Sequence, residues 1–301
     1  MAILTKMKNK NLFESGHNAC AGCGPAIAMR HILEAAGKNI IVTIATGCME
    51  VVSTPYPLTA WRVPCIHSAF ENAAATASGI DKALKVLGKR NKINVIAIAG
   101  DGGTFDIGLQ ALSGAIERGG RFLFICYDNN AYMNTGIQRS GATPKYAETT
   151  TSPYGKKIHG KQELKKSMPF IIAAHRCYVA TANIAYIEDF ERKIKKALSF
   201  NGPSYIQIFT PCVAGWKYPE NLTVELARLA VQTRVCPLYE IENGIVILNM
   251  HIENPKPIKD YLKKQGRFAK LTEKEIAEIK DFVNLEYNKI KKLSDSGIKI
   301  F

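Results

Sequence analysis

Short apolar runs that alternate with segments of helical periodicity are the feature that most constrains how this chain can fold. Four runs have the length and composition of buried strands, at residues 40–46, 94–100, 122–128 and 204–210. Apolar residues recur at helical spacing over residues 25–36, 70–88, 106–118 and 187–200. This alternation predicts an α/β fold, a doubly wound and mainly parallel sheet with helices on both faces. Ligands of such folds bind beyond the carboxyl ends of the strands.

The alternating pattern covers residues 1–253, which we interpret as one domain, and residues 254–301 form a charged, partly helical C-terminal extension. No apolar stretch reaches the roughly 18 residues that a membrane span requires, and the N-terminal residues lack the pattern of a signal peptide. We therefore expect a cytoplasmic protein without a membrane span. Eight cysteines in such a chain are more typical of thiols and metal or cluster ligands than of disulfides.

The formal net charge is +14, a value that nucleic-acid-binding proteins often reach. The lysines are scattered, however, and the densest basic group, at residues 156–166, contains no interleaved aromatic residues. We therefore expect no nucleic-acid partner. A generally lysine-rich proteome explains the charge, and a surface that docks acidic partners is the more specific alternative.

The residues that follow the four strands have the chemistry of a ligand site. They are Gly47-Cys48, Gly100-Asp101-Gly102-Gly103, Asp128-Asn129-Asn130 and Pro211-Cys212. Because the carboxyl ends of parallel strands meet at one edge of a sheet, these segments are predicted to lie together.

The Gly-Asp-Gly-Gly turn matches neither common phosphate loop. Phe105 stands where a dinucleotide fingerprint needs Gly or Ala, and no Gly-Lys pair is followed by Ser or Thr. A glycine turn before a helix can still bind phosphate through its N–H groups. Asp101 inside this turn then indicates a divalent cation between carboxylate and phosphate, and Mg²⁺ is suited to that role. Asn129, one strand further on, is expected to supply a second oxygen ligand.

A Cys-x-x-Cys pair, Cys20 and Cys23, precedes a predicted helix with Pro25 in its first turn. Amide dipoles at a helix start favour thiolates, so the pair is predicted to be reactive or to bind metal. A redox pair and half of a zinc site are both open, but no second Cys-x-x-Cys completes a zinc ribbon. The strand-end argument instead adds Cys48 and Cys212, which gives four sulfurs of the kind that hold an iron–sulfur cluster.

The remaining cysteines are weaker candidates. Cys126 and Cys177 lie in or next to apolar strands and are expected to be core thiols. Cys65 and Cys236 are the alternatives to Cys212 as the fourth ligand. We prefer Cys212 because the strand at 204–210 delivers it to the common edge.

The segments CAGCG, ATGCMEV, GDGG, DNNAYMNTG and TPCVAGW, in this order, carry a family resemblance. Together they resemble the thiamine-diphosphate-binding β subunit of the 2-oxoacid:ferredoxin oxidoreductases, and most of all the pyruvate-type members. The resemblance covers nearly the whole chain. One departure is Pro25, where single-chain members often have glutamate, and this concerns subunit architecture more than activity.

The resemblance implies a coenzyme A-dependent, reversible oxidative decarboxylation of pyruvate to acetyl-CoA and CO₂, with electrons passed through a 4Fe-4S cluster to ferredoxin. It implies a thiamine diphosphate site formed by Gly47, Cys48, Gly100, Asp101, Gly102, Gly103, Asn129, Ala131, Asn134 and Thr135. The implied Mg²⁺ ligands are Asp101, the Asn129 side chain and the Ala131 carbonyl. Cys20, Cys23, Cys48 and Cys212 are the implied cluster ligands, and Asn134 is the implied catalytic residue.

The resemblance also implies partners, because the chain lacks two parts of the complete enzyme. The glutamate that activates the cofactor comes from a second domain in this family, and only one doubly wound unit fits here. The CxxCxxCxxxCP run that carries electrons outward is also missing. We therefore expect a hetero-oligomer with α, γ and ferredoxin-like δ subunits. Subunits acting on branched-chain 2-oxoacids, 2-oxoglutarate or oxalate remain alternatives, as does a non-catalytic iron–sulfur protein.

Overall fold

The computed structural model describes residues 11–301, whose strands form a single eight-stranded sheet. In chain order the strands are β1 (Ile40–Ala45), β2 (Cys65–Ser68), β3 (Asn94–Gly100), β4 (Leu123–Asp128), β5 (Tyr178–Asn183), β6 (Ser204–Phe209), β7 (Tyr239–Glu242) and β8 (Ile245–Leu248). The four strands predicted from apolar runs are β1, β3, β4 and β6, with ends within one residue of the prediction. Burial of both faces explains why these strands read as continuous apolar runs.

The strand order is β2-β1-β3-β4-β6-β5-β7-β8. The first six strands are parallel, and β7 and β8 add an antiparallel edge. The predicted doubly wound, mainly parallel sheet is therefore confirmed. The chain leaves β1 for the edge strand β2 and returns to β3 on the other side of β1, which opens a crevice between the carboxyl ends of β1 and β3.

Helices cover both faces of the sheet. In chain order they are α1 (Gly24–Ala36), α2 (Cys48–Ser53), α3 (Ala73–Val86), α4 (Leu109–Glu117), α5 (Met168–Ala173), α6 (Ile187–Ser199), α7 (Val213–Trp216), α8 (Thr223–Gln232), α9 (Ile258–Leu262) and α10 (Glu273–Ser296). Alternate residues of β3 divide the core: Ile98 packs with α1 and α6, whereas Ala97 packs with α3 and α4. None of the described helices is long and apolar enough to cross a membrane.

The predicted helix over residues 106–118 differs in its first turns. A π-helical turn, Gly102–Asp106, comes directly after β3, and the regular helix α4 begins at Leu109. Wide turns of this kind are frequent at functional sites. The predicted helix at 70–88 is shorter, since α3 begins at Ala73.

The C-terminal extension packs onto the sheet through α10. A capping box between Thr272 and Glu275 begins this helix. Tyr287 and Ile290 of α10 belong to the same buried cluster as Leu248 of β8. The division of the chain at residues 253 and 254 stays a prediction.

Candidate functional site

The predicted cofactor residues meet at the crevice between β1 and β3. A cavity of about 180 Å³ lies there. The predicted residues that line it are Gly47, Cys48, Gly100, Asp101, Gly102, Asn129, Ala131, Asn134 and Thr135. Gly103 does not line the cavity. It faces Phe70 instead, and a Cβ added at Gly103 would lie 3.1 Å from the Phe70 carbonyl oxygen.

The π-helical turn after β3 forms one wall of this cavity. Gly102 is in contact with the ring of Tyr132, and a Cβ at this position would lie 2.3 Å from a ring carbon. Glycine at position 102 therefore permits the close approach of the loop that carries Ala131 and Asn134. The amide donors of Gly102 and Gly103 stand at the start of the turn, where N–H groups lack partners within the turn itself. This arrangement can accept phosphate oxygens.

Three oxygen-bearing groups converge beside the turn. One terminal atom of the Asn129 amide lies 2.8 Å from Asp101 Oδ1 and 2.9 Å from the Ala131 carbonyl oxygen. Adjacent ligands of an octahedral Mg²⁺ ion lie roughly 2.9 Å apart, because the metal–oxygen distance is about 2.1 Å. If the Asn129 oxygen faces the Asp101 and Ala131 oxygens, a cation between them stabilises the arrangement. In the opposite orientation of the amide, the Asn129 nitrogen would donate hydrogen bonds to both oxygens. The spacing and the donor set therefore fit Mg²⁺.

The charge at Asp101 supports the same interpretation. Asp101 is 1% exposed, and burial together with nearby Asp128 raises its pKa well above the ordinary value. Ser140 Oγ donates to Asp101 Oδ2, and the Lys165 ammonium lowers the pKa more weakly. Lys165 itself donates to Asp128. Within residues 11–301 Asp101 forms no salt bridge of its own, and a bound divalent cation would supply a countercharge.

Sequence reasoning missed the groups that support this triad. Asp128 is fully buried and accepts from Asn130 Nδ2 at 2.7 Å and from Gln207 Nε2 at 2.7 Å, in addition to Lys165. The contact with Lys165 joins the loop after β4 to a segment much later in the chain. The Asp-Asn-Asn run was visible in the sequence, but nothing in it indicated Lys165 as a partner.

The predicted catalytic residue, Asn134, lines the cavity and is exposed. Thr135 is also exposed and donates to Gln138 Oε1. Among the described residues that line the cavity, Asp101 is the only carboxylate. No glutamate is among the described residues of this lining.

Cys20, Cys23, Cys48 and Cys212, which we call the four-cysteine group, lie close to one another. Burial raises the pKa of Cys23 and Cys48 to about 12, and it also raises the pKa of Cys212. Negative charge on neighbouring thiols adds to each of these shifts: Cys20 acts on the other three, and Cys212 acts on Cys23 and Cys48. At Cys23 the predicted effect of the helix-start dipole on thiolate formation is outweighed by burial.

The spacing of the sulfurs in this structure is wider than that of a closed zinc site. A tetrahedral zinc ion with Zn–S bonds of about 2.3 Å needs sulfurs roughly 3.8 Å apart. Within residues 11–301, no three of these sulfurs lie within 4.8 Å of one another, and all eight cysteines are free. Four converging thiols with wider spacing fit a larger group such as a 4Fe-4S cluster.

Close backbone packing holds the Cys-x-x-Cys loop against the end of β6. A Cβ on Gly24 would lie 2.4 Å from the Pro211 carbonyl oxygen, so glycine is required where α1 meets the segment before Cys212. Thr223 Oγ1 also donates to the Gly22 carbonyl at 2.6 Å. The glycines of the CAGCG segment therefore have a packing function that brings Cys20 and Cys23 to Cys212.

The two alternative cysteines lie elsewhere. Cys65 begins the edge strand β2 and pairs in register with Val42, near the middle of β1. Cys236 is buried beside Asn183 and Lys165. Cys126 and Cys177 are buried core thiols, as predicted. The structure thus brings Cys212, and neither Cys65 nor Cys236, to the other three predicted ligands.

A larger cavity, of about 330 Å³, lies beneath α10. Apolar side chains such as Phe209, Tyr261 and Phe282 line it, and none of the predicted site residues does. Because the smaller cavity has the convergent polar groups, it is the better candidate for a functional site.

Comparison with known proteins identifies the family of the chain. Residues 45–208, more than half of the chain, match the family "Thiamine pyrophosphate enzyme, C-terminal TPP binding domain". Pyruvate synthase subunit PorB of Methanocaldococcus jannaschii is 56% identical over 289 residues, which cover 94% of this chain and 97% of that protein. Ketoisovalerate oxidoreductase subunit VorB of Pyrococcus abyssi is 48% identical, over 97% of this chain and 96% of that protein.

A solved structure, 2-oxoglutarate:ferredoxin oxidoreductase from Magnetococcus marinus with 2-oxoglutarate, coenzyme A and succinyl-CoA bound, has a similar fold. The match has a TM-score of 0.56 and 22% identity, and it covers 74% of this chain and 82% of that chain. The chain described here therefore belongs to the 2-oxoacid oxidoreductase family that includes pyruvate synthase subunit PorB and ketoisovalerate oxidoreductase subunit VorB, and it carries a thiamine pyrophosphate enzyme domain.

Proposed function

We propose that this chain is the thiamine-diphosphate-binding β subunit of a pyruvate:ferredoxin oxidoreductase, a pyruvate synthase. The complete enzyme would convert pyruvate and coenzyme A reversibly into acetyl-CoA and CO₂, with the electrons passing to ferredoxin. The observation that carries the proposal is the position of Cys48. This residue lines the cofactor cavity and also belongs to the four-cysteine group. A cofactor and a cluster bound at these sites would be separated by little more than one residue.

In this proposal the residues of the chain bind and orient the cofactor. Asp101, Asn129 and the Ala131 carbonyl would hold Mg²⁺, and the start of the π-helical turn would receive the phosphate oxygens of the cofactor. Thiamine diphosphate, when bound, would supply the electron sink for decarboxylation. Asn134 lies on the cavity wall, where it can hydrogen-bond the reacting carboxylate or carbonyl.

The four-cysteine group is proposed to hold a 4Fe-4S cluster that accepts electrons one at a time. Cys23, Cys48 and Cys212 are partly buried, and Cys20 is exposed, so the group is open to solvent on the side of Cys20. Thiol ionisation, which burial opposes in the apo chain, would accompany cluster binding. Iron uptake should therefore release protons.

Partner subunits are part of the proposal. An α subunit would contribute the activating glutamate and most substrate contacts, because Asp101 is the only carboxylate among the described residues of the cavity lining. A γ subunit and a ferredoxin-like δ subunit would complete the complex and pass electrons to ferredoxin. Cytoplasmic location stays a prediction.

For the choice of 2-oxoacid, pyruvate has one specific alternative, a branched-chain 2-oxoacid. Relatives named PorB and VorB reach similar identity: 48% for pyruvate synthase subunit PorB of Methanosarcina barkeri and 48% for VorB of Pyrococcus abyssi. Three relatives at 56%, 53% and 52% identity are all named pyruvate synthase subunit PorB, which favours pyruvate. A branched-chain 2-oxoacid is therefore the second candidate, followed by 2-oxoglutarate and oxalate.

A turnover panel on the purified complex tests the proposal. Reduction of a viologen dye would be measured with coenzyme A and each of pyruvate, 2-oxoisovalerate, 2-oxoglutarate and oxalate. We expect the highest kcat/KM with pyruvate. A higher value with 2-oxoisovalerate would assign the branched-chain function. Iron-dependent absorbance without saturable, Mg²⁺-dependent binding of thiamine diphosphate would instead identify a non-catalytic iron–sulfur protein.

A further inference from the structure

A chain of hydrogen-bonded side chains connects the cofactor cavity with the protein surface. Thr46 lines the cavity, and its Oγ1 lies 2.8 Å from Nε2 of His67. Nδ1 of His67 in turn lies 3.3 Å from Oε1 of Glu50. The His67 side chain is 50% exposed, whereas Glu50 is buried. An imidazole in contact with solvent is therefore one hydroxyl away from the cavity.

Neighbouring elements of the fold bring these three residues together. Thr46 directly follows β1, Glu50 lies in α2 and His67 lies in the adjacent edge strand β2. The parallel register pairs His67 with Ile44, so Thr46 and His67 meet at the carboxyl ends of their strands. Within residues 11–301, Glu50 is the only charged side chain with an ion pair or hydrogen bond to His67. Each ring nitrogen of His67 thus has one fixed neighbour.

Glu50 determines which ring nitrogen of His67 carries the proton. A carboxylate only accepts hydrogen bonds, so Nδ1 of His67 donates to Glu50. The hydroxyl of Thr54 donates to the same Glu50 oxygen at 2.7 Å and helps to fix it. Nε2 of the neutral ring can then accept from the Thr46 hydroxyl, whose other acceptor, the Ser68 carbonyl, is farther away at 3.4 Å. His67 is thus oriented to take a proton from Thr46.

The proposed reaction releases a proton. The pyruvate anion and the thiol of coenzyme A become acetyl-CoA and CO₂, two electrons pass to ferredoxin, and the thiol proton is left over. Asp101 and Cys48 also line the cavity, but they are assigned to Mg²⁺ and to the cluster. Thr46 is the lining residue whose hydroxyl contacts a solvent-exposed imidazole. Thr46 is therefore the best placed of the described lining residues to accept this proton.

We propose that Thr46 and His67 form the path by which this proton leaves the cofactor cavity. The inference rests on the proposed function, because it concerns the proton that the proposed reaction releases. The Thr46 oxygen takes the proton from the thiol sulfur, which keeps the electron pair for its bond to the acyl carbon, and the Thr46 hydroxyl proton passes to Nε2 of His67. The imidazolium, paired with Glu50, then loses a proton to solvent. His67 and Glu50 act through Thr46 and are positioning residues.

Four substitutions separate proton transfer from the shape of the site. Thr46→Val removes the hydroxyl and keeps the shape of the side chain, whereas Thr46→Ser keeps the hydroxyl. His67→Gln keeps hydrogen-bonding groups but cannot carry a proton, and His67→Ala opens space for imidazole from solution. His175→Gln is the matched control, because Nε2 of His175 also lies 3.1 Å from a hydroxyl oxygen, that of Ser113, and neither residue lines the cavity.

The first measurement is proton release by the purified complex in weak buffer, followed with a pH-indicator dye after rapid mixing with pyruvate, coenzyme A and a viologen. We expect the rate constant of proton release to fall about a hundredfold in Thr46→Val and His67→Gln, as is typical for loss of a general acid–base group. Thr46→Ser and His175→Gln should keep the wild-type rate, and added imidazole should restore part of the rate in His67→Ala. The Kd of thiamine diphosphate should be unchanged in every variant.

The second measurement does not depend on activity. Nuclear magnetic resonance spectra of the full-length chain with ¹⁵N-labelled histidine, assigned by comparison with His67→Gln, report which nitrogen of each ring carries the proton. The neutral form of His67 should carry its proton on Nδ1, as the contact with Glu50 requires. A proton on Nε2 would overturn the inference.

The outcomes separate this inference from the proposed function. Proton release at the wild-type rate in Thr46→Val or His67→Gln would overturn the inference and leave the proposed function intact. A loss in His67→Ala that imidazole does not restore, or a weaker affinity of Thr46→Val for the cofactor, would assign a structural role to these residues and overturn the inference as well. A wild-type complex that turns over no 2-oxoacid would refute the proposed function itself.

Discussion

Replacing Asp101 by asparagine tests the metal site with the least structural change. The substitution keeps the size of the side chain and leaves an oxygen that can still accept from Ser140, but it removes the negative charge from the oxygen triad. Asp101 is 1% exposed and belongs to the wall of the cofactor cavity. The variant should therefore fold and retain the shape of the site while holding Mg²⁺ and thiamine diphosphate more weakly.

The size of the effect follows from the contact that is lost. A charged contact is worth roughly 1.5–3 kcal/mol, and each 1.4 kcal/mol changes Kd about tenfold. We therefore expect the Kd of thiamine diphosphate to rise between about tenfold and about a hundredfold at a fixed Mg²⁺ concentration. Burial opposes the ionised form of Asp101 in the absence of metal. The melting temperature of the apo variant should consequently not be lower than that of the wild type.

Titration calorimetry of the purified complex at several Mg²⁺ concentrations measures this effect. Asp81→Asn is the matched control, because Asp81 is equally buried, its carboxylate pairs with Arg90, and neither residue lines the cofactor cavity. The control should lower the melting temperature and leave the Kd for the cofactor within about twofold. Unchanged cofactor affinity in Asp101→Asn, or an equal loss in Asp81→Asn, would refute the assignment of Asp101 as a metal ligand.

Three further predictions concern the cluster, the partners and pH. Cys212→Ala should lose iron and visible absorbance, whereas Cys236→Ala should keep both; the reverse result would refute the strand-end argument. The chain purified alone, with cofactor and cluster loaded, should not reduce viologen with pyruvate and coenzyme A, and such activity would show that it contains the activating group. Burial raises the pKa of Glu240, but hydrogen bonds from Lys196, Arg192 and Tyr178 outweigh this effect and lower the pKa to about 2. The stabilisation by Glu240 should therefore be present above pH 4.5 and be lost as pH falls towards 2. The free energies of unfolding in urea of the wild type and Glu240→Gln should converge at low pH, and a constant difference would contradict the ion-pair role.

The central strands could be predicted from sequence because both of their faces are buried. Residues of β3 alternate between two apolar cores, so the strand has no polar side to interrupt its hydrophobic run. The β7–β8 hairpin was not predicted, although a signal was present. Asn243 and Gly244 both have positive φ and form the two-residue turn that joins the strands, a combination typical of hairpins.

The candidate site was predicted to the extent that its residues follow strands. Parallel strands bring the residues that follow them to one edge of the sheet, whatever their separation in sequence. The apolar runs that mark the strands were therefore sufficient to predict that four residues lie together: Cys48, Asp101, Asn129 and Cys212. Contacts made by long loops carry no such periodicity. Lys165, which pairs with Asp128, comes from a loop whose path the sequence pattern does not determine.

The C-terminal extension shows most clearly where sequence reasoning ends. Its composition indicated a charged segment outside the main pattern, yet Arg267 from this segment is as deeply buried as the core strands and stacks on Trp216. Hydrophobic periodicity locates residues that are buried because they are apolar. A charged residue that is buried through contacts with aromatic and amide side chains leaves no periodic signal, so only the folded structure shows that Arg267 packs on Trp216 and Asn130.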